Sequence, residues 1–286
     1  MKPAVIEAVK RGLKRGGIAA ACTGLLSWVL LSPPVAMNGL YNHVLFAPYR
    51  FPTQTKSIAG LQIEPVTFPS RNGKNLAGWY IHNPRATKTI LFSHGNGGNM
   101  DSFVPIMENA IEAGASLFAY DYQGYGASEG ESSLSGVIDD AQAAYDYLVT
   151  DKHVAKENVV LYGVSLGTGV TTQLLKRRPA AAVILMSPYT NIIAVAREHL
   201  RWLNWYPDFL FPTEHLDTQA VLEQPHPPVL VIHGERDQTV LFHHAQDLQK
   251  TSAKPVEFLF VPNAAHNDLI DFAGAGIELA IARLMH

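Results

Sequence analysis

The pentapeptide Gly163-Val164-Ser165-Leu166-Gly167 constrains this chain more than any other stretch. Before it lies a short, β-branched apolar run, Asn158-Val159-Val160-Leu161-Tyr162, and after it a helix-like run over 166–176. Strand, sharp turn, helix is the setting in which a serine hydroxyl is pushed out of a sheet edge and becomes a nucleophile. The flanking glycines let two backbones pass close together through a strained turn. The same turn aims the Leu166 N–H at the place where an oxyanion would form, and the helix adds the positive end of its dipole.

G-x-S-x-G also arises by chance, so its companions must be found independently and in order. Upstream, 88–93 reads as a buried strand running into His94-Gly95-Asn96-Gly97-Gly98-Asn99. A phosphate-binding turn would need a G-K-[ST] ending or G-x-G-x-x-G spacing, and both are missing. The stretch reads as the second arm of an oxyanion hole, with the Asn96 N–H as donor, against the plainer reading of a strand-to-helix turn. Downstream, Pro228-Val229-Leu230-Val231-Ile232-His233 is a strand followed by Gly234-Glu235-Arg236-Asp237. An acid just past a strand can reach over the C-terminal edge of a parallel sheet. Glu235 and Asp237 both qualify; Asp237, farther from the strand, is preferred, its ordinary alternative being a surface turn residue. Near the C-terminus the strand 256–261 leads into a loop with His266 at its tip. Of twelve histidines, His266 alone occupies a loop directly after a strand that follows the acid. His233 is expected to pack, His94 to sit beneath the oxyanion turn, and His243 and His244 to lie on a helix surface. The chain order Ser165, Asp237, His266 differs from the orders of chymotrypsin-like and subtilisin-like folds.

These residues, with Asp121-Tyr122-Gln123-Gly124-Tyr125-Gly126-Ala127-Ser128-Glu129-Gly130, carry a resemblance. From about residue 45 onward the chain resembles the α/β-hydrolase superfamily, within it the serine-aminopeptidase-like group that includes membrane-tethered depalmitoylase-like and lysophospholipase-like hydrolases. The resemblance implies a serine hydrolase but does not identify a substrate. The segment 121–130, with three glycines and no phosphate signature, reads as a structural turn below the site.

The rest of the chain bears this organisation out only as an expectation. Strand and helix alternate: strands over 61–68 and 75–82 form an antiparallel pair, then come strand 88–93, helix 100–113, strand 116–120, helix 135–149, strand 158–162, helix 166–176 and strand 181–186. Strand 229–233, helix 242–251, strand 257–261 and helix 269–285 complete the pattern. Such units imply an α/β fold: a mostly parallel central sheet with helices on both faces and ligands at the strand C-termini. The expected catalytic domain is 57–286, preceded by a linker over 37–56. Residues 188–227 interrupt the alternation and read as a short lid-like insertion. Trp202, Leu203, Trp205, Tyr206, Phe209, Leu210 and Phe211 crowd one part of it. They read equally as an apolar acyl-binding or bilayer-touching wall and as a helix packed on the sheet.

Of the net charge of −3, residues 1–16 contribute +4, so 17–286 carry −7. A domain that acidic is not expected to bind nucleic acid. No charged residue occurs from Gly16 to Tyr49. Residues 1–36 read as an uncleaved signal anchor through 16–32, as a cleaved signal peptide, or as an apolar helix. The anchor is preferred because the cleavage point after Ala36 is poor. It would tether the catalytic domain on the non-cytoplasmic side of a membrane; cleavage would instead make it secreted or periplasmic. Cys22 is the only cysteine, which rules out an intramolecular disulfide and a thiolate metal site. The expected activity is cleavage of esters or thioesters with apolar acyl groups by an acyl-enzyme route, needing no metal or organic cofactor. A peptidase for short peptides is the alternative, with Glu214 or Asp208 to hold an amino group. A non-catalytic binding module on the same scaffold is a third reading.

Overall fold

The computed structural model describes residues 46–51, 53–211 and 216–285. Eight strands form the main sheet: β1 (Glu64–Pro69), β2 (Asn75–Ile81), β3 (Thr89–Ser93), β4 (Ser116–Tyr120), β5 (Val159–Val164), β6 (Ala182–Met186), β7 (Val229–Gly234) and β8 (Val256–Val261). Among the described residues, seven helices accompany them: α1 (Val104–Glu112), α2 (Leu134–Thr150), α3 (Leu166–Leu175), α4 (Ile192–His199), α5 (Thr218–Leu222), α6 (His243–Thr251) and α7 (Leu269–Met285). Strand order is β8-β7-β6-β5-β3-β4-β2-β1. β1 pairs antiparallel with β2, and β2 with β4; every other pairing in this sheet is parallel.

The central strands are buried at every position because helices cover both faces, so they read as unbroken apolar runs. Period-two alternation divides their side chains between two cores. Leu91, Leu161, Val183, Leu185 and Val231 face the layer that holds α2, α3 and α6. Ile90, Phe92, Val160, Ile184, Leu230 and Ile232 face α1 and α7. The chain passes from β3 through α1 to β4 on one side, then crosses back through α2 to β5 on the other side of β3. The reversal opens a crevice above the carboxyl ends of β3 and β5, where such sheets bind ligands.

The helix expected over 100–113 begins later. Met100–Phe103 is a 3-10 turn whose N-cap, Asn99, accepts from the Asp101 N–H, and the α-helix starts at Val104. The insertion holds α4, 3-10 turns at Arg201–Trp205 and Asp208–Leu210, and α5. Its apolar residues divide. Leu203, Tyr206 and Phe211 bury themselves with Ile193 in a small cluster of their own, whereas Trp205 and Phe209 are 74% and 82% exposed.

The expected membrane-tethered location is corrected: among the described residues no helix is long and apolar enough to cross a membrane. The segment 16–32, on which that expectation rested, lies outside the described residues.

Candidate active site

Ser165 joins β5 to α3 at φ 51° and ψ −116°, a conformation costly for a residue with a Cβ. The turn is as tight as the glycines suggested. A Cβ on Gly163 would collide with the Gly167 carbonyl, and one on Gly167 with the Ser93 and His94 carbonyls of the neighbouring strand end. The Ser165 N–H is held by the Met186 carbonyl at 2.9 Å, and its carbonyl accepts from the Thr168 N–H and hydroxyl. The serine is thus fixed by backbone on both sides, with its Oγ standing above the sheet edge.

Three side chains from three strand ends meet there. Ser165 Oγ is 3.0 Å from His266 Nε2, and His266 Nδ1 is 2.6 Å from Asp237 Oδ2. A carboxylate only accepts, so Nδ1–H donates to Asp237, which leaves Nε2 to accept the serine proton. Asp237 Oδ1 takes the Thr239 and Val240 N–H groups, each at 2.8 Å. Burial alone would raise the Asp237 carboxyl. The hydrogen bond and charge of His266, with the two backbone donors, outweigh burial and hold it below its ordinary value. Glu235, the other acid weighed, points into solvent. The acid and histidine loops are joined by backbone as well. Glu235 N–H donates to the Val261 carbonyl and Arg236 N–H to the Ala264 carbonyl, at 3.1 and 2.9 Å, and a Cβ on Gly234 would strike Ala264.

Asn96 lies in the turn after β3. Its carbonyl accepts from Tyr125 Oη at 2.9 Å, and its Oδ1 from the same hydroxyl at 2.8 Å and from the Ala47 N–H at 3.1 Å. Tyr122 Oη donates to the His94 carbonyl at 3.0 Å. The turn 121–130 is therefore the prop of the Asn96 loop, and Tyr122 and Tyr125 are its working residues. Sequence reading missed both; the tyrosines spaced among Gly124, Gly126 and Gly130 were the available signal. Leu166 opens α3, where an N–H has no acceptor within the helix. Beneath the loop, His94 gives its Nδ1–H to the Gly95 carbonyl at 2.7 Å, and its Nε2 lies 3.4 Å from Asp121 Oδ1. Burial pushes His94 down to about 4 and Asp121 up to about 7. Both shifts favour the uncharged forms of this pair below the site.

A cavity of ≈ 600 Å³ opens beside Ser165 and His266. Phe103 and Ile106, Leu269 and Ile270, and Val164 and Met186 at the ends of β5 and β6 line it. Phe103, Ile106, Leu269 and Ile270 were not singled out from sequence; they fall where the helices after the Asn96 and His266 loops begin. Among the described residues, none from 202 to 211 lines it. His233 is buried, giving Nε2–H to the Val240 carbonyl at 2.9 Å, and burial pushes it down to about 4. His243 is half-exposed, but His244, expected at a surface, is fully buried. Asp208 is taken up by Arg197 at 2.7 Å, and Glu214 lies outside the described residues. Among the described residues, one group could hold a metal ion, Glu198 with His243 and His244, on α4 and α6 rather than around Ser165.

The sheet order, the strained turn after β5 and the loops after β3, β7 and β8 define the α/β-hydrolase fold. Residues 84–227 match the family described as serine aminopeptidase, S33. Human alpha/beta hydrolase domain-containing protein 17B is 37% identical over 211 residues, which cover 72% of this chain and 70% of that protein. An uncharacterized protein of Mycobacterium tuberculosis is 31% identical over 205 residues, 71% of this chain and 72% of its own length. Among solved structures, the Pyrococcus furiosus esterase Pf2001 shares the fold, with a TM-score of 0.69 at 18% identity over 84% of this chain and 97% of its own. The chain belongs to the serine aminopeptidase (S33) family of α/β-hydrolases. It is a hydrolase of that superfamily, and a small-molecule substrate goes with the family.

Proposed function

We propose that this chain is a serine hydrolase that cleaves carboxylic esters or thioesters with apolar acyl groups through an acyl-enzyme. One observation carries the reading: the continuous hydrogen-bonded path from Ser165 Oγ through His266 to Asp237, built on a strained turn above the sheet. Ser165 Oγ attacks the acyl carbon while its proton passes to His266 Nε2. Asp237 holds the ring in the required tautomer and stabilises the imidazolium. The oxyanion receives hydrogen bonds from the Asn96 and Leu166 N–H groups. As the tetrahedral adduct collapses, the bond to the leaving oxygen or sulfur breaks and Nε2–H protonates that atom. Water then gives a proton to Nε2 and attacks the acyl carbon; the bond from that carbon to Ser165 Oγ breaks, Nε2–H returns its proton to Oγ, and the acid leaves. The apolar walls at Phe103, Ile106, Leu269 and Ile270 suit a hydrocarbon acyl chain.

Purified protein should react with a fluorophosphonate probe and hydrolyse p-nitrophenyl acyl esters. Ser165→Ala should lower kcat on the order of 10⁶-fold and remove labelling. Labelling at full strength in the alanine variant would falsify the assignment. One observation favours a peptidase as the second reading. Asp271 lines the cavity, where a carboxylate can hold a peptide amino group. Aminoacyl amides run in the same assay separate the two: amide turnover that Asp271→Asn abolishes supports the peptidase, and turnover of esters alone rejects it.

A further inference from the structure

Away from Ser165, two consecutive histidines and a glutamate converge where α4 meets α6. His243 Nε2 lies 2.7 Å from Glu198 Oε1, and His244 Nε2 lies 3.2 Å from Glu198 Oε2. The atoms these three offer all lie within 4.8 Å of one another. Zinc bonds of about 2.0–2.2 Å to imidazole nitrogen and carboxylate oxygen place tetrahedral ligand atoms roughly 3.3 Å apart. Adjustments on the order of 1 Å would therefore bring the cluster around an ion.

The other ring nitrogen of His243 is held as that of a ligating imidazole is. His243 Nδ1 faces Asp247 Oδ2 at 3.4 Å, one turn along α6. His244 Nδ1 lies 3.0 Å from Thr190 Oγ1 and accepts from the Thr190 N–H at 3.3 Å, so that its Nε2–H donates to Glu198. A carboxylate or hydroxyl on the far nitrogen orients the ring and leaves Nε2 as the ligand. Ligation by His244 selects the tautomer that donates Nδ1–H to Thr190 Oγ1 and gives up the Thr190 N–H contact. His244 is fully buried, while Glu198 and His243 are 24% and 47% exposed, so the solvent side is open to water as a further ligand. Arg197, beside Glu198, has its guanidinium engaged by Asp208.

We propose that Glu198, His243 and His244 form a binding site for a divalent transition-metal ion of the zinc class, completed by water. Two imidazoles and one carboxylate suit zinc, whereas calcium and magnesium take oxygen ligands. The ion would tie the insertion to the body of the protein close to the catalytic loop. His199, next to Glu198, donates its Nε2–H to the Thr239 carbonyl at 2.8 Å, and the Thr239 N–H donates to Asp237 Oδ1.

The test is zinc binding by the whole protein, stripped of metal and then titrated with Zn²⁺ against a chromogenic zinc indicator. One equivalent should bind with Kd of about 1 µM or tighter. Glu198→Gln and His243→Ala, both at partly exposed positions, should each weaken binding at least about 100-fold. Asp247→Asn should weaken it about 10- to 100-fold. Co²⁺ added in place of zinc should give the visible bands of a tetrahedral site in the parent protein and lose them in His243→Ala. His266→Ala should leave zinc affinity unchanged. Absence of saturable binding below about 100 µM overturns the proposal. So does undiminished binding by both Glu198→Gln and His243→Ala, or loss of binding in His266→Ala, which would place the ion at the active site.

Discussion

At the carboxyl end of β5, Ser165 is gripped by the Met186 carbonyl, by Thr168 and by two glycines that admit no side chain. In the insertion between β6 and β7, Trp205 and Phe209 stand in solvent while Leu203 and Tyr206 pack in a small cluster with Ile193 and Phe211. The strand ends are specified by backbone contacts between strands distant in sequence, and a small displacement there meets hard carbonyl collisions. The part of the insertion over 202–211 is specified by a small apolar cluster, which tolerates change. The chemistry should therefore depend on the first region, and much less on the second.

Asp237→Asn offers the strongest way to break this contrast. It should lower kcat on the order of 10⁴-fold by spoiling the His266 tautomer, whereas Glu235→Gln at the exposed neighbouring position should leave kcat within about 2-fold. Steady-state kinetics on one soluble ester decides it, and equal effects would mean that Asp237 does not orient His266. Next in size is a change to the cavity wall. Ile106→Trp should cut kcat/KM for long acyl esters roughly 10- to 100-fold relative to short ones, while Trp202→Ala in the insertion should leave chain-length preference unaltered. An acyl series measured on both variants would show the reverse if the insertion holds the chain.

A third effect concerns His233, beside the acid. The unfolded chain takes up its proton near pH 6.5, the folded chain only near 4, so stability falls as pH drops through that window. His233→Gln should lessen the fall by up to about 1.4 kcal/mol per pH unit, read from urea midpoints between pH 6.5 and 4.5. Parallel curves for the two proteins would mean that His233 is charged in the folded state. The smallest effect is expected from Trp205→Ser with Phe209→Ser, which should move stability by less than about 0.5 kcal/mol and leave turnover of a water-soluble ester unchanged. A large loss of turnover would put the insertion back into the active site.

The sheet was legible because its strands are short apolar runs, and Ser165, Asp237 and His266 each follow such a run directly. A residue one loop beyond a parallel strand must emerge at the same edge as its counterparts, so local sequence was enough to bring these three together. Asn96 was legible for the same reason, but Tyr122 and Tyr125 were not. Their hydroxyls reach a loop that only the β3–β4 pairing brings near. The cavity walls were hidden because Ile106 and Ile270 come from helices far apart in sequence, α1 and α7. The aromatic segment stayed open between two readings because apolar residues crowded together signal burial, but not which surface they bury against. His244 was misplaced because its helix is polar overall, and only the docking of α4 encloses it.

The backbone bonds from Glu235 to Val261 and from Arg236 to Ala264 have a consequence in time. The acid and the base ride on a single stiff body, so fluctuations that widen the distance between them must break main-chain pairing at the sheet edge. Those two amides should therefore exchange with deuterated solvent slowly and in concert, through one shared opening event, while amides of the insertion exchange fast. The hydrogen bonds joining Ser165, His266 and Asp237 should then keep their geometry while exposed neighbouring segments open and close.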